Sequence, residues 1–179
     1  AKSHFTPVVI GSTGYTPEQK QQIQDAAKEI PVFFSFNMSL GVNLLVNLAK
    51  KAAQVLGDQF DIEIVEKHHN QKIDAPSGTA LMIADAIQET MGGNMVYQYD
   101  RHAQRKKREH NEIGIHSVRG GTIVGEHQVI FAGRDEVVTL THEAHSKQVF
   151  AVGAVNAAVF LEKKTPGLYD MGAMLAETE

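Results

Sequence analysis

Two histidines, a lysine and a serine–glycine–threonine turn stand close together in this chain, where residues 66–80 read EKHHNQKIDAPSGTA. Histidine titrates near neutrality, so His68 or His69 can deliver a proton at working pH. Lys72 adds a fixed positive charge for a carboxylate or a developing anion. Pro76, Ser77, Gly78 and Thr79 open a helical pattern, and the first backbone N–H groups of a helix lack internal partners and carry its positive dipole end. Glycine at that point lets an anion come close, and Ser77 and Thr79 add hydroxyl donors. One short segment therefore offers a proton donor, a cation and an anion cradle.

Other readings of the same residues are blander. His68 and His69 end a strand-like run, so their side chains point to opposite faces and do not easily share one metal ion. Residues 74–79 also suit a plain turn and helix cap, with the histidines as packed surface residues. The density of chemically capable groups favours the site reading. The remaining histidines (His102, His110, His116, His127, His142 and His145) are scattered over loops and strands, and surface or sheet positions are the default for each. Residues 101–108 carry five lysines and arginines, but no aromatic residue is interleaved and the net charge is -4. A solvated connection fits that segment better than a nucleic-acid patch.

The elements around the motif follow from pattern. Residues 7–11 (PVVIG) form a short apolar run, as for a strand buried on both faces of a parallel sheet. Thr16, Pro17 and Gln19 read as a capping box with proline at the first helical position, and Ile23, Ala26, Ala27 and Ile30 give that helix its stripe. Pro31 stops it, and residues 32–36 form a second buried strand. This order is one slice of a doubly wound nucleotide-binding fold. A longer helix spans 41–56 with Leu45, Leu48, Ala49, Ala52 and Leu56 inward, and Gly57 ends it. Residues 61–69 alternate as a strand and 79–91 as a helix with Leu81, Ala84 and Ile87 or Gln88 near one face. Short strands then follow at 113–118, 122–124, 127–132 and 137–142, with the alternation of an antiparallel sheet covered on one face. Ser146 caps a helix through residue 161, with Phe150, Ala154, Ala157 and Leu161 inward, and residues 168–175 form a short final segment. Two domains are expected. One comprises residues 1–39 and 147–179 and the other residues 40–146.

Composition narrows the class. The chain has 179 residues, 42% of them apolar, enough for a real core. It holds no cysteine, which excludes disulfides and thiolate chemistry and fits a reducing compartment, with the cytoplasm as the expected location. No apolar run approaches the ~20 residues of a membrane span, and the first residues lack a signal-peptide layout.

With its spacing, E-x-H-H-x-x-K-x-D-A-P-S-G-T-A resembles the signature of the dihydrodipicolinate reductase family. Residues 9–15 (VIGSTGY), 34–43 (FSFNMSLGVN), 119–127 (RGGTIVGEH) and 167–171 (GLYDM) resemble further segments of that family, so the likeness covers nearly the whole chain. The family begins with a strand and a glycine-rich diphosphate turn, and no G-x-x-G-x-x-G occurs here; the chain resembles roughly its C-terminal two-thirds. The resemblance implies a Rossmann-type parallel α/β domain joined to a second domain with a mainly antiparallel sheet. It implies hydride transfer from NADPH or NADH to a cyclic dicarboxylate, 4-hydroxy-tetrahydrodipicolinate, in diaminopimelate and lysine biosynthesis. His68 matches the proton donor and Lys72 the catalytic or substrate-orienting lysine. His69, Ser77, Gly78 and Thr79 match carboxylate contacts. Gly11, Ser12 and Thr13 match the loop at the nicotinamide, and Ser35, Phe36, Asn37 and Met38 match a second cofactor segment. Two positions depart from the pattern. Ser12 stands where threonine is frequent, a change that a backbone contact tolerates. Lys147 stands where arginine is frequent, which keeps the charge but loses the two-pronged fork toward a second carboxylate. The family also assembles as a homotetramer by joining sheets, which would cover exposed strand edges. The alternative to an active reductase is a non-catalytic piece that keeps substrate binding and assembly, and the chain by itself is expected to turn over weakly or not at all.

Overall fold

The structure, a computed structural model, describes residues 1–177. In chain order the elements begin with β1 (Val8–Ile10), α1 (Pro17–Ala27), β2 (Pro31–Phe34), α2 (Leu40–Leu56), β3 (Asp61–His68), α3 (Gly78–Thr90) and β4 (Val96–Gln98). They continue with β5 (Glu112–Arg119), β6 (Gly125–Ala132), β7 (Val137–Ala144), α4 (Gln148–Leu161), β8 (Gly167–Tyr169) and α5 (Met171–Ala176). The chain divides into two compact units: residues 1–43 with the segment from Lys147 onward, and residues 44–146.

The first unit is a parallel sheet in the order β1-β2-β8. Alternation along β2 sorts its core. Val32 packs with Ala27 and Ile30 at the end of α1, while Phe33 packs with Ala157 and Leu161 of α4 and Met171 and Met174 of α5. The capping box forms as its residues suggest: Thr16 Oγ1 accepts from the Gln19 N–H, and Gln19 Oε1 accepts from the Thr16 N–H. On α4 the residues turned inward are Gly153, Ala157 and Leu161, with Ala154 partly covered. Gly153 has a packing reason to be glycine, since a Cβ there would stand 1.6 Å from the Met38 carbonyl oxygen.

The second unit is a mixed sheet in the order β4-β5-β3-β6-β7. β3 is central, parallel to β5 and antiparallel to β6; β4 adds parallel to β5, and β7 antiparallel to β6. Residues 122–124 are not a separate strand but part of the connection that carries the chain over β3, from one neighbour to the other. One sheet face buries Ile62, Ile64, Ile113, Ile115, Val129 and Phe131 against Leu45, Ala49 and Ala53 of α2 and Ala80, Ile83, Ala84 and Ile87 of α3. Leu48 was expected in that stripe but is 46% exposed. The inward positions run i, i+4, i+8 from Leu45, which turns residue 48 away from the sheet.

The opposite face is polar near its centre. Glu63 accepts from Arg101, Arg108 and His116. Arg108 also bonds Asp61 and the carbonyls of Ile62 and Glu112, and Arg101 also bonds Glu112. The basic connection is thus pinned at Arg101 and Arg108 rather than loosely solvated, although residues 102–107 are exposed. Among the described residues no helix is long and apolar enough to cross a membrane.

The contact at Gly153 yields a stability prediction. Gly153→Ala sets a methyl against backbone, which no rotamer change relieves, and should cost at least about 2 kcal/mol. At Gly120 a Cβ meets nothing within 4 Å, so Gly120→Ala should stay within about 0.5 kcal/mol. Urea midpoints of the two variants check both values.

Candidate functional site

The apolar face of β3 changes character toward its end: after Ile62 and Ile64, the same face carries Glu66 and then His68. Glu66 has no exposed surface. Its carboxylate accepts a bidentate pair from Arg119, Nη2 to Oε1 at 2.7 Å and Nη1 to Oε2 at 2.8 Å. It also accepts the Ser77 backbone N–H at 3.1 Å, and His68 Nδ1 lies 2.6 Å from Oε2. Burial pushes the Glu66 carboxyl up, but bonds from Arg119, Ser117 and His68 outweigh it and hold its pKa at about 2. An ionised carboxylate only accepts, so the His68 nitrogen facing it carries the proton. Burial lowers the His68 pKa, the Glu66 charge opposes that, and Lys72 and Arg119 reinforce it; the net direction is down.

Residues 69–77 return the chain from β3 to α3. Two bonds to the turn after β5 anchor its start: Gly120 N–H to His68 O at 2.9 Å and Asn70 N–H to Gly121 O at 3.2 Å. Arg119 Nη2 also donates to the Asp74 carbonyl at 2.7 Å. Lys72 Nζ sits 2.8 Å from Asp74 Oδ1, and this bond holds the Asp74 carboxyl below its usual range.

The helix start is partly satisfied from within. Ser77 is the N-cap of α3, its Oγ accepting from the Ala80 N–H at 3.1 Å. The same Oγ lies 2.9 Å from His127 Nε2, and Ser77 is buried. With the Ser77 N–H donated to Glu66, two of the donors expected to face an anion already have partners. Gly78 is exposed, and a Cβ there would meet nothing within 4 Å, so the approach to the helix end is open at that residue. Thr79 is half-buried and engaged in an interaction of its own.

His127, for which pattern alone suggests a surface or sheet position, lies on β6. It is 4% exposed, its ring meets that of His68 edge-on at a centroid distance of 5.2 Å, and its Nδ1 has no hydrogen-bond partner among the described residues. Burial chiefly, with the neighbouring His68, pushes its pKa down to about 4. Glu66 was in the motif without a role, and the signal that links it to His68 is their spacing of two on a strand. Arg119 gave no local signal; it reaches the site because β5 runs parallel to β3 with Arg119 opposite His68. Among the described residues no group of three or more histidines and carboxylates is arranged to hold a metal.

In the other unit, β1 and β2 pair in register through Ile10 and Phe34, so residues 11–13 and 35–38 leave the same sheet end side by side. The Ser35 N–H bonds the Ile10 carbonyl at 3.4 Å, and Met38 packs where a Gly11 Cβ would touch it at 3.4 Å. Gly11, Ser12 and Thr13 are exposed, with Ser12 Oγ 2.5 Å from the Tyr15 hydroxyl. Ser35 Oγ donates to the Asn37 carbonyl, and Asn37 Oδ1 accepts from the Ser39 N–H. Phe36 is 57% exposed, its ring tilted against that of Phe34 with Lys20 over it, whereas the Met38 side chain belongs to the core. Lys147 is exposed at the N-terminal cap of α4 in this unit, and its side chain caps nothing.

A parallel sheet ending in two adjacent loops, and a separate mixed sheet carrying the Glu66–His68 pair beside a helix start, match the two parts of a reductase family. Residues 1–38 match the family model described as dihydrodipicolinate reductase, N-terminus, and residues 41–175 the one described as dihydrodipicolinate reductase, C-terminus. A 4-hydroxy-tetrahydrodipicolinate reductase of Caldanaerobacter subterraneus subsp. tengcongensis is 59% identical over 165 residues, covering 92% of this chain and 65% of that protein. One of Clostridium novyi is 50% identical over 171 residues, covering 96% of this chain and 68% of that protein. The solved structure of dipicolinate-bound dihydrodipicolinate reductase from Paenisporosarcina sp. TG-14 aligns with a TM-score of 0.73 at 30% identity, over 94% of this chain and 67% of that one. The chain belongs to the dihydrodipicolinate reductase family. It spans about two thirds of the length of these relatives.

The buried His127 gives a pH dependence with a definite sign. Unfolded, it takes up a proton below its ordinary 6.5; folded, it resists until about 4. Stability from the neutral ring is therefore complete above pH 6.5 and lost as pH falls toward 4, by on the order of 3 kcal/mol. Urea unfolding at pH 7, 5.5 and 4.5 should follow that loss, and His127→Gln should flatten the curve across the same window.

Proposed function

We propose that the chain acts as an NADPH- or NADH-dependent 4-hydroxy-tetrahydrodipicolinate reductase, in diaminopimelate and lysine biosynthesis in the cytoplasm. The observation that carries this reading is the junction of His68, Lys72 and the start of α3 within one loop, in a chain matched by both family models. The overall change takes up one hydride and one proton and releases one water, giving tetrahydrodipicolinate. A bound nicotinamide supplies the hydride. His68 supplies the proton. Lys72 holds a substrate carboxylate, with Gly78, Thr79 and His69 around it and Ser77 shaping the helix end from beneath. The nicotinamide end suits the exposed backbone of Gly11, Ser12 and Thr13 and the segment Ser35, Phe36, Asn37 and Met38, because parallel sheets bind nucleotides outside the carboxyl ends of their strands. For Met38 the contact would be through backbone, its side chain being in the core. Lys147 is assigned to a second carboxylate.

In this reading residues 1–39 and 147–179 serve the cofactor, and residues 40–146 serve substrate and assembly. Both helices of the second unit, α2 and α3, pack on the apolar face of the mixed sheet, and its polar face includes exposed Val118 and Val137. A homotetramer that pairs such faces would cover it, and sedimentation of a stable monomer would count against that assembly.

Calorimetry with pyridine-2,6-dicarboxylate, a planar mimic of the substrate, tests the site. Lys72→Ala should weaken binding about tenfold or more, because it removes a charge-assisted contact of roughly 1.5–3 kcal/mol. Asp74→Asn should hold or tighten it, since Lys72 no longer has to leave a carboxylate. Equal affinity for wild type and Lys72→Ala would refute the assignment.

A further inference from the structure

We infer that Glu66, clamped by Arg119, is a positioning residue that fixes the His68 imidazole with its Nδ1 proton bound and its Nε2 free to exchange a proton with substrate. The inference rests on the reductase reading only for the identity of the substrate. It stands on three observations. First, the Glu66 carboxylate is fully buried and both of its oxygens are engaged, with His68 Nδ1 only 2.6 Å from Oε2. Second, residue 125, which lies beside the Nε2 edge of the ring, puts no side chain against it. A Cβ at position 125 would stand 3.1 Å from His68 Nε2 and 3.5 Å from Cδ2, and that residue is glycine. Third, Oε1 of the same carboxylate accepts the N–H of Ser77, so the proton donor and the cap of the anion-binding helix hang from one group.

The chemistry follows from tautomers. A histidine that gives a proton from Nε2 must return to a neutral ring protonated on Nδ1. The opposite tautomer keeps a proton on Nε2 that is far too weakly acidic to leave. An ionised acceptor at Nδ1 selects the productive form and stabilises the imidazolium that precedes donation. Arg119 serves this arrangement by keeping Glu66 ionised where burial would protonate it. A further Arg119 bond, to the Asp74 carbonyl, holds the Lys72 loop against the same clamp.

The test is long-range 1H–15N correlation NMR of histidine-labelled protein, with His68 assigned by the signal lost in His68→Gln. In wild type the neutral ring should carry its proton on Nδ1. Glu66→Gln presents an amide to Nδ1, and should move the proton to Nε2 or mix the forms and lower the His68 pKa by about one unit or more. Gly125→Ala leaves Glu66 in place and should move the Nε2 resonance while Nδ1 stays protonated. A wild-type Nε2–H tautomer overturns the inference without any variant, and so does an unchanged His68 in a folded Glu66→Gln protein. NADPH oxidation with the cyclic substrate separates this from the reductase reading. Glu66→Gln should lower kcat about a hundredfold with KM within threefold. Undiminished turnover in His68→Gln would sink the assignment of His68 as proton donor while leaving the Glu66–His68 geometry standing.

Discussion

A carboxylate with no access to water must be surrounded by donors or lose its charge. Leaving it ionised and unpaired in a protein interior costs several kcal/mol. Glu66 meets that demand with a guanidinium, an imidazole and a backbone N–H, from the end of β5, from its own strand and from the start of α3. Each donor is placed by a different part of the second unit, so the carboxylate keeps those parts in register with one another. The site is an extension of the core: the face of β3 that buries Ile62 and Ile64 goes on to bury Glu66. Alternation on a strand makes the register unforgiving. A shift of one residue would turn the isoleucines and the carboxylate together to the opposite face, where Glu63 and Lys67 now stand.

The same strand therefore supports two charged networks, one on each face. That around Glu63 is partly exposed, with Arg101, Arg108 and His116 sharing one carboxylate, and it fastens the basic connection to the sheet. Solvent screens such pairs, and exposed ones contribute little singly. The Glu66 carboxylate has no exposed surface, so its network is screened far less. Position rather than composition separates a fastening from a site, since both networks join glutamate, arginine and histidine.

The elements with strong local signals were readable from the chain. The capping box at Thr16, the apolar runs of β1 and β2 and the alternation of Ile62 and Ile64 each follow from neighbours within four residues. The residues that act at a distance were not. Arg119 meets Glu66 because β5 lies parallel to β3, a pairing across the whole α3 and β4 segment that no local pattern encodes. His127 comes under Ser77 because β6 flanks β3 on the other side. Antiparallel strands were anticipated from the alternation in residues 127–142, and β6 and β7 do pair that way. The parallel half of the sheet has no hairpin turn to announce it. Leu48 shows the limit within a helix: several stripes can be drawn through a leucine-rich sequence, and only packing against a particular sheet selects one.

The charges around the N-terminal end of α3 come close to balance. Arg119 and Lys72 are positive, Glu66 and Asp74 negative, and each cation is bonded to an anion of the set. The two pairs differ in what can separate them. The Glu66–Arg119 pair is bidentate and its carboxylate is fully buried, so separating it would leave a buried charge without its partner. The Lys72–Asp74 pair is a single bond with an exposed aspartate, and exchanging one carboxylate partner for another costs the lysine little. Under the proposed function an anionic ligand would meet Lys72 and the open approach at Gly78 while Arg119 stays on Glu66, so that binding would fall to the pair that yields and orientation to the pair that does not.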